Sequence, residues 1–494
     1  MPVHSDTAII ILAAGKGTRM RSDLAKVLHR AGGRTLIEHV IRACRPLKPA
    51  QLLVVVGHQA EEVAAVAESL GAQTILQQPQ RGTGHAMQIA RRAIRKSAKV
   101  ALVVPGDAPL LRTATLAALL DAHRRGEAAA TVLSAELADP TDYGRIVRDA
   151  EGRVEAIVEE KTATPEQRAI REVNSSIYSF TLARLWPALA AVRPSNAHRE
   201  LYLTDAIALL RQSNERVLGQ IAADANEILG CNTRASLADV DRIFRARKAA
   251  GLMEAGATIY LPETVVIDPD VTAGPDTVIE PCVQLLGETR IGARCKIQTG
   301  SVLHDVRVDD DVTVGAHCVA TSSRLHSKAT IGPFSRLRPG ADIRSGAHIG
   351  NFVEVKKSVV HEGAKAMHLT YLGDATVGRD SNIGAGTITC NYDGVAKYQT
   401  RIGNRVFIGS DSALVAPIRI GDGAYVAAGS TLTENVPADA LALARGRQVN
   451  KPGWARQRRN ALKDAKHTSR RKAPRPRGSK RAPRKKSSKP RRRR

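Results

Sequence analysis

The chain is poor in aromatic residues: two Trp, five Phe and eight Tyr make up only 3% of 494 positions. A core with so few rings is built from small aliphatic side chains, as in thin, regularly repeating architectures. Cysteine is scarce too. The six (Cys44, Cys231, Cys282, Cys295, Cys318 and Cys390) lie far apart with no CxxC pair, which argues against a zinc ribbon or a disulfide framework and for a reducing, cytoplasmic setting. No uncharged apolar run approaches the roughly 20 residues of a bilayer span. The apolar stretch Ala8 to Ala14 is short, lacks a basic flank and ends in a glycine turn, unlike a secretory leader. A soluble protein without a membrane span is expected.

Positive charge is abundant, at a formal +26, but it is concentrated at one end. From Arg456 onward there are 20 Lys and Arg against the single acid Asp464, leaving about +7 for everything before. The segment 453–494 is rich in Lys, Arg, Pro and Ser and nearly free of aliphatic residues. It is therefore expected to be a disordered basic tail that contacts nucleic acid or acidic surfaces without sequence preference.

The length calls for two or three domains. Up to residue 233, aliphatic runs (TAIIILAAG, LLVVVG, VALVVPGD) alternate with amphipathic stretches such as EEVAAVAESLG. That rhythm predicts an α/β domain, Rossmann-like with a mostly parallel sheet, whose ligands sit at the carboxyl ends of the strands. Residues 234–255 read as a connecting helix. Across 256–452 aliphatic residues then recur every sixth position: Ile279, Leu285, Ile291, Ile297, Leu303; Ile331, Leu337, Ile343, Ile349, Val355; and Ile402, Ile408, Leu414, Ile420, Val426, Leu432. This is the hexapeptide pattern of a left-handed parallel β-helix. Its interruptions near 361–375 and 386–401 are expected to be functional loops.

The motifs that carry chemistry stand at the predicted strand ends. The glycine turn of LAAGKGTRM, with Lys16, Arg19 and the nearby Lys26, suits phosphate at a helix N-terminus, although a solvated surface turn would look the same. Asp107 follows the strand in VALVVPGD, where an acid either holds Mg2+ against a triphosphate or caps the next turn. Gly82 and Thr83 form a second tight turn, able to meet a base edge with backbone groups.

The order LAAGKGTRM, Lys26, Gln77, Gly82-Thr83-Gly84-His85, Gly106-Asp107, Tyr143-Gly144-Arg145-Ile146, Ile157-Val158-Glu159 and Asn174 resembles the sugar-1-phosphate nucleotidylyltransferases. In particular it is similar to the uridylyltransferase half of the bifunctional enzymes that make UDP-N-acetylglucosamine. The resemblance implies that Leu12, Ala13, Ala14, Gly15, Lys26, Gln77, Gly82 and Thr83 hold UTP. It implies that Asp107 and Asn232 bind Mg2+ and that Gly144, Glu159 and Asn174 hold the sugar of N-acetylglucosamine-1-phosphate. Lys26 is expected to act in the transfer itself. Two departures are Ala25, where the family usually has proline, and Pro105, where Tyr or Ser is common.

The stretch from Arg338 to Arg445 is similar to the acetyltransferase half of the same family, most clearly in HLTYLGD and CNYDG. The resemblance implies that His368 is the general base freeing the amine of glucosamine-1-phosphate to attack acetyl-CoA. Imidazole, which ordinarily titrates near pH 6.5, suits that task. It also implies that Arg338, Lys356, Tyr371, Asn382 and Lys397 bind the sugar phosphate. Ala385, Asn391, Tyr392, Ser410, Ala428 and Arg445 would line the acetyl-CoA side, and the protein would be a homotrimer. Without the resemblance, Arg338 and Lys356 read as a solvated face. Two rivals are an enzyme joining another sugar or nucleotide and a non-catalytic subunit of the same folds; the second sits poorly with Lys26, Asp107, Asn232 and His368 all being present.

Overall fold

The structure is a computed structural model that describes residues 4–193 and 200–472. The chain forms two compact units, Met1–Leu443 and Ala444–Arg494.

The main sheet in the first half of the larger unit has nine strands: β1 Thr7–Ala13, β2 Gln51–Val56, β3 Gln73–Leu76, β4 Val100–Pro105, β5 Ala130–Glu136, β6 Arg145–Arg148, β7 Val154–Val158, β8 Glu172–Thr181 and β9 Val217–Ile221. Their spatial order is β9-β5-β8-β4-β1-β2-β3, with β6 added to β8 and β7 to β6. The pairs β1/β2, β1/β4, β2/β3 and β5/β9 are parallel, whereas β8 runs antiparallel to both β4 and β5. The mostly parallel sheet expected from the βαβ rhythm is present.

Helices cover both faces of this sheet, which is why its strands are apolar on both sides. Ile9 and Ile11 join one core with α1 (Leu36–Cys44), α2 (Ala60–Ser69) and α4 (Thr113–Arg125). Ala8 and Ile10 join the other with α3 (Thr83–Ala90), α5 (Leu182–Ala191) and α6 (Asp205–Gln212). The loops after β1, β2 and β4 therefore open side by side at the carboxyl edge. The connecting helix appears as α7, Arg234–Glu254, started by a capping box in which Thr233 and Ser236 satisfy each other's backbone N–H groups. It bridges the halves: Phe244 stacks on His39, and Arg245 pairs with Asp268.

From Thr258 the chain coils through three parallel sheets of 11, 10 and 9 short strands. All 16 aliphatic positions of the hexad series are buried in its core. Each series walks around the three sheets, so Ile279 pairs with Ile297, Leu285 with Leu303, and Ile331 with Ile349. This is the expected β-helix.

Two expectations need correction here. The segment 361–375 is not a loop but regular coil, with strands Lys365–His368, Tyr371–Gly373 and Ala375–Val377. Its inward residues, Val360, Ala366, Leu372 and Val377, are buried like the others. A strict period of six hides them because two of the corners are one residue shorter. The same shortening conceals Val308, Val314, Ala320 and Leu325 in the apparent gap before Ile331. In the second interruption, strand Ile388–Cys390 also continues the coil, so only the chain between Cys390 and Thr400 leaves it.

The smaller unit carries α8, Trp454–Lys472, in the first part of the tail expected to be disordered. Arg, Ala, Gln, Lys and Leu are strong helix formers, and a composition too polar to build a core does not forbid a single solvated helix. Residues Trp454 to Lys466 are all exposed. Residues 473–494 lie outside the described part. No helix among the described residues is long and apolar enough to cross a membrane.

Candidate active sites

Two sites assemble from the predicted residues, one at each half of the larger unit. The first is a cleft of about 1270 Å³ at the carboxyl edge of the α/β sheet. Leu12, Ala13, Ala14 and Gly15 line it at the end of β1 and just beyond, Gln77, Gly82 and Thr83 ahead of and at the start of α3, and Lys26, Pro105, Asp107 and Glu159 add to the wall.

Lys26 is placed by a close approach to the first loop. Gly17 has φ +63, and a Cβ there would fall 2.5 Å from the Lys26 Cβ, so glycine is required. The Lys26 ammonium is ion-paired to the Asp107 carboxylate and donates to Asn232 Oδ1 at 3.1 Å. Asp107 stands two residues beyond β4, and its backbone carbonyl accepts the N–H of Cys231 at 2.9 Å, drawing Asn232 to the same point. Asp107 and Asn232 thus present two oxygen donors to one point, with a cation already lying against both. Such hard oxygens suit Mg2+, which is commonly held by one or two protein groups together with substrate phosphates.

The second wall is equally constrained. Gly82, at φ +91, would bring a Cβ within 2.6 Å of the Leu201 carbonyl oxygen. The buried Gln77 donates to the Gly82 carbonyl at 3.0 Å, and the Thr83 hydroxyl accepts the Leu203 N–H at 3.0 Å. Glu159 is held above the usual carboxylate range by burial and by the nearby Asp205 charge, with the Thr204 hydroxyl acting in the opposite sense. A Cβ on Gly144 would lie 3.6 Å from a Glu159 carboxylate oxygen. Asn174 lies deeper, buried, and donates to Tyr178 Oη at 2.8 Å; Tyr178 itself forms the cleft wall. Sequence reasoning missed Gln59, Tyr178 and Thr204 as lining residues. They carry no motif of their own and reach the cleft only through tertiary packing.

The second site lies on the β-helix. His368 ends the strand Lys365–His368 in register with Asn351 and is exposed. The next residue, Leu369, takes a left-handed conformation and turns the corner (φ 46). The same corner recurs on the following coils, where Ala385, Ser410 and Ala428 each precede a left-handed residue: Gly386, Asp411 and Gly429. Backbone bonds Gly386 to Leu369, Asp411 to Ala385 and Gly429 to Ser410 stack these corners directly. His368, Ala385, Ser410 and Ala428 therefore form one outward column, rising by roughly 4.8 Å per coil.

Cations gather on the neighbouring sheet. Arg338 pairs with Glu354 at 3.0 Å, and Glu354 is in register with Tyr371. Tyr371 folds back over Gly373, the register partner of Lys356. The excursion after Cys390 brings Lys397 against Lys356; this close contact between the amines, foremost a hydrogen bond, holds Lys397 below the usual lysine range. Asn391 tethers the excursion by donating to Asp374 at 2.5 Å, whereas Tyr392 is 58% exposed. Two crowded ammonium groups make a receptive place for a phosphate. Asn382 lies apart from them, on the sheet of His368, in register with Lys365. Arg445 belongs to the smaller unit.

Residues 9–205 match the MobA-like NTP transferase domain, and residues 399–434 match the hexapeptide repeat of succinyl-transferase. Over 470 residues the chain is 48% identical to a protein of Koribacter versatilis named bifunctional protein GlmU, covering 94% of this chain and all of that protein. A protein of Solibacter usitatus with the same name is 50% identical over 92% of this chain and 98% of its own. Another, from Streptococcus agalactiae, is 45% identical over 90% and 97%. A solved UDP-glucose pyrophosphorylase complexed with UDP-glucose superposes on half of this chain at 13% identity, with a TM-score of 0.41.

Proposed function

The chain belongs to the family of bifunctional GlmU proteins, and from that premise we propose that its two sites catalyse successive steps toward UDP-N-acetylglucosamine. The protein is an enzyme with a nucleotidyl-transfer half and an acyl-transfer half. We assign the first to residues 1–233, the second to 256–452, and α7 to the connection. The observation that carries the reading is the convergence on Lys26, in the cleft, of Asp107 and Asn232, from positions 81 and 206 residues away.

In the acetyl-transfer step, glucosamine-1-phosphate lies with its phosphate on Lys356, Lys397 and Arg338. The His368 imidazole takes a proton from the 2-amino group as its nitrogen attacks the acetyl-CoA thioester. The carbon–sulfur bond breaks and CoA leaves as the thiol. The column of small residues Ala385, Ser410 and Ala428 leaves room for the CoA arm, alongside Asn391 and Tyr392. Asn382 contributes to the sugar side.

In the uridylyl-transfer step the cleft holds UTP along Leu12–Gly15, Gln77, Gly82 and Thr83, and the N-acetylated sugar phosphate near Gly144, Glu159 and Asn174. A phosphate oxygen of the sugar attacks the α-phosphorus of UTP in line, and pyrophosphate leaves. Mg2+ held by Asp107 and Asn232 would neutralise charge on the triphosphate. Lys26 then turns from its internal partners toward the α-phosphate, where its charge counts most in the transition state.

A coupled assay tests the whole reading. Glucosamine-1-phosphate, acetyl-CoA, UTP and Mg2+ should yield CoA, then pyrophosphate and UDP-N-acetylglucosamine. Failure to form the nucleotide sugar from these substrates, with dTTP or CTP accepted instead, would assign a different product.

Lys397 gives a finer check. Its depressed pKa means that its charge is lost at a lower pH than for an ordinary lysine. The KM for glucosamine-1-phosphate is therefore expected to rise as pH increases through that depressed range, and Lys397→Met should flatten this rise while raising KM about tenfold at neutral pH. An unchanged pH profile in the variant would remove Lys397 from the phosphate site.

We further propose a cytoplasmic homotrimer. Supporting the assembly is an exposed apolar column at the same corner as His368, in which Phe334 and Phe352 stack at 5.4 Å and Leu369 is 63% exposed. The basic tail is assigned a contact with nucleic acid or acidic surfaces, apart from catalysis. Truncation at Arg456 is expected to leave both rates within about twofold, measured on each half-reaction, and to steepen none of their salt dependence.

A further inference from the structure

Lys26 has to be held where a phosphate can meet it, yet the bend leading into it is open to solvent. Arg21, Asp23 and Leu24 are exposed, and the short turn Lys26–Leu28 is closed by only two backbone bonds, Leu28 to Ala25 and His29 to Lys26. The first buried residue of this stretch is Ala25, 1% exposed, whose backbone N–H needs a partner. That partner is Gln59 Oε1, at 2.5 Å.

Gln59 is itself unusual. It opens α2 in the left-handed region (φ 47, ψ 52), which residues with a Cβ enter at a cost, and it lines the uridylyl cleft. Its loop is stitched to the first phosphate loop. The His58 N–H donates to the Ala14 carbonyl at 3.2 Å, and a Cβ on Gly57 would fall 2.8 Å from Ala14. Gln59 thus joins the loop after β2, already fixed against Ala14, to the segment that delivers Lys26.

We infer that Gln59 is a positioning residue for uridylyl transfer: by accepting the Ala25 N–H it fixes the Lys26 turn relative to the Ala14–Gly15 loop. The inference rests on the uridylyl-transfer reading of this cleft. It deepens that reading by assigning a role to a residue outside the nucleotide, metal and sugar contacts. Because it acts on the aim of the lysine and leaves the UTP wall intact, it should govern kcat more than KM.

The geometry supplies its own control. Ala25 has φ −53, close to the −65 that proline enforces. Proline at this position removes the N–H that Gln59 serves and stiffens the same backbone, so Ala25→Pro should make the glutamine dispensable. Gln59→Met, similar in length but unable to accept, is expected to lower uridylyl-transfer kcat by about tenfold or more, with the KM for UTP moving less than about threefold, since small misplacements of a catalytic group carry losses of that order. In the A25P background the same Gln59→Met change should lower kcat less than about twofold. Acetyl transfer, assayed on the same preparations, should be unchanged and so report that the chain is folded.

Full kcat in Gln59→Met would overturn the inference. So would an equal loss in both backgrounds, which would make Gln59 a direct ligand contact, or a loss shared by acetyl transfer, which would make it a general structural residue. Wild-type protein that forms no UDP-sugar would instead overturn the uridylyl reading beneath it.

Discussion

Asp107→Ala is expected to slow uridylyl transfer by about 10²- to 10³-fold or more, while acetyl transfer by the same preparation stays within about twofold. The side chain is 16% exposed and its carboxylate pairs with the Lys26 ammonium, 19% exposed. Its removal leaves Lys26 with Asn232 as its remaining oxygen partner and takes away the stronger of the two proposed metal donors. The backbone bond from Cys231 to the Asp107 carbonyl does not depend on the side chain, so Asn232 stays in place and the fold survives. Lys26→Ala should cost a similar factor, and the double variant should be little slower than either, because the two groups act as a unit. Pyrophosphate release measured across a Mg2+ titration decides the matter. A variant at position 107 that runs near the wild-type rate, with unchanged Mg2+ dependence, would contradict the metal role.

His368→Ala should have the opposite selectivity. Acetyl transfer is expected to fall by about 10²- to 10⁴-fold, the usual worth of a positioned general base, with uridylyl transfer from supplied N-acetylglucosamine-1-phosphate unaffected. His368 is exposed at the end of its strand, so truncation opens no core cavity. The Thr370 hydroxyl bonds to the His368 backbone carbonyl at 2.7 Å, an interaction any residue retains. Thermal stability should therefore barely move. Persistence of the acetyl-transfer rate would assign proton removal to another group.

These two residues also mark how far the sequence could be read. The β-helix core was legible because burial repeats: each of the 16 hexad positions is inside. What escaped were coils whose corners are one residue short, as between Val355, Val360 and Ala366, where the period slips although the stacking does not. The α/β half was legible from runs such as Ile9–Ile11, buried on both faces. The pairing in its cleft was not. Lys26, Asp107 and Asn232 meet through chain folding over long separations, and only the family resemblance joined them in advance. Gln59, Tyr178 and Thr204 escaped altogether, since a residue that shapes a wall or holds a loop leaves no spacing to detect. Over Trp454–Lys472 polar composition hides a helix, because helix propensity is set residue by residue and needs no core.

The stacked coils have a consequence for how such a protein can change. Successive coils repeat after about 17 or 18 residues, as from Ile279 to Ile297 and on to Val314, and each leans only on the coil before and the coil after. Whole coils between the connecting helix and Asn351 are therefore interchangeable units of length. Gaining or losing one would lengthen or shorten the pillar by a single rung while leaving the surroundings of His368 as they are. Evolution can adjust the reach of this half in fixed steps, with neither reaction centre having to be rebuilt.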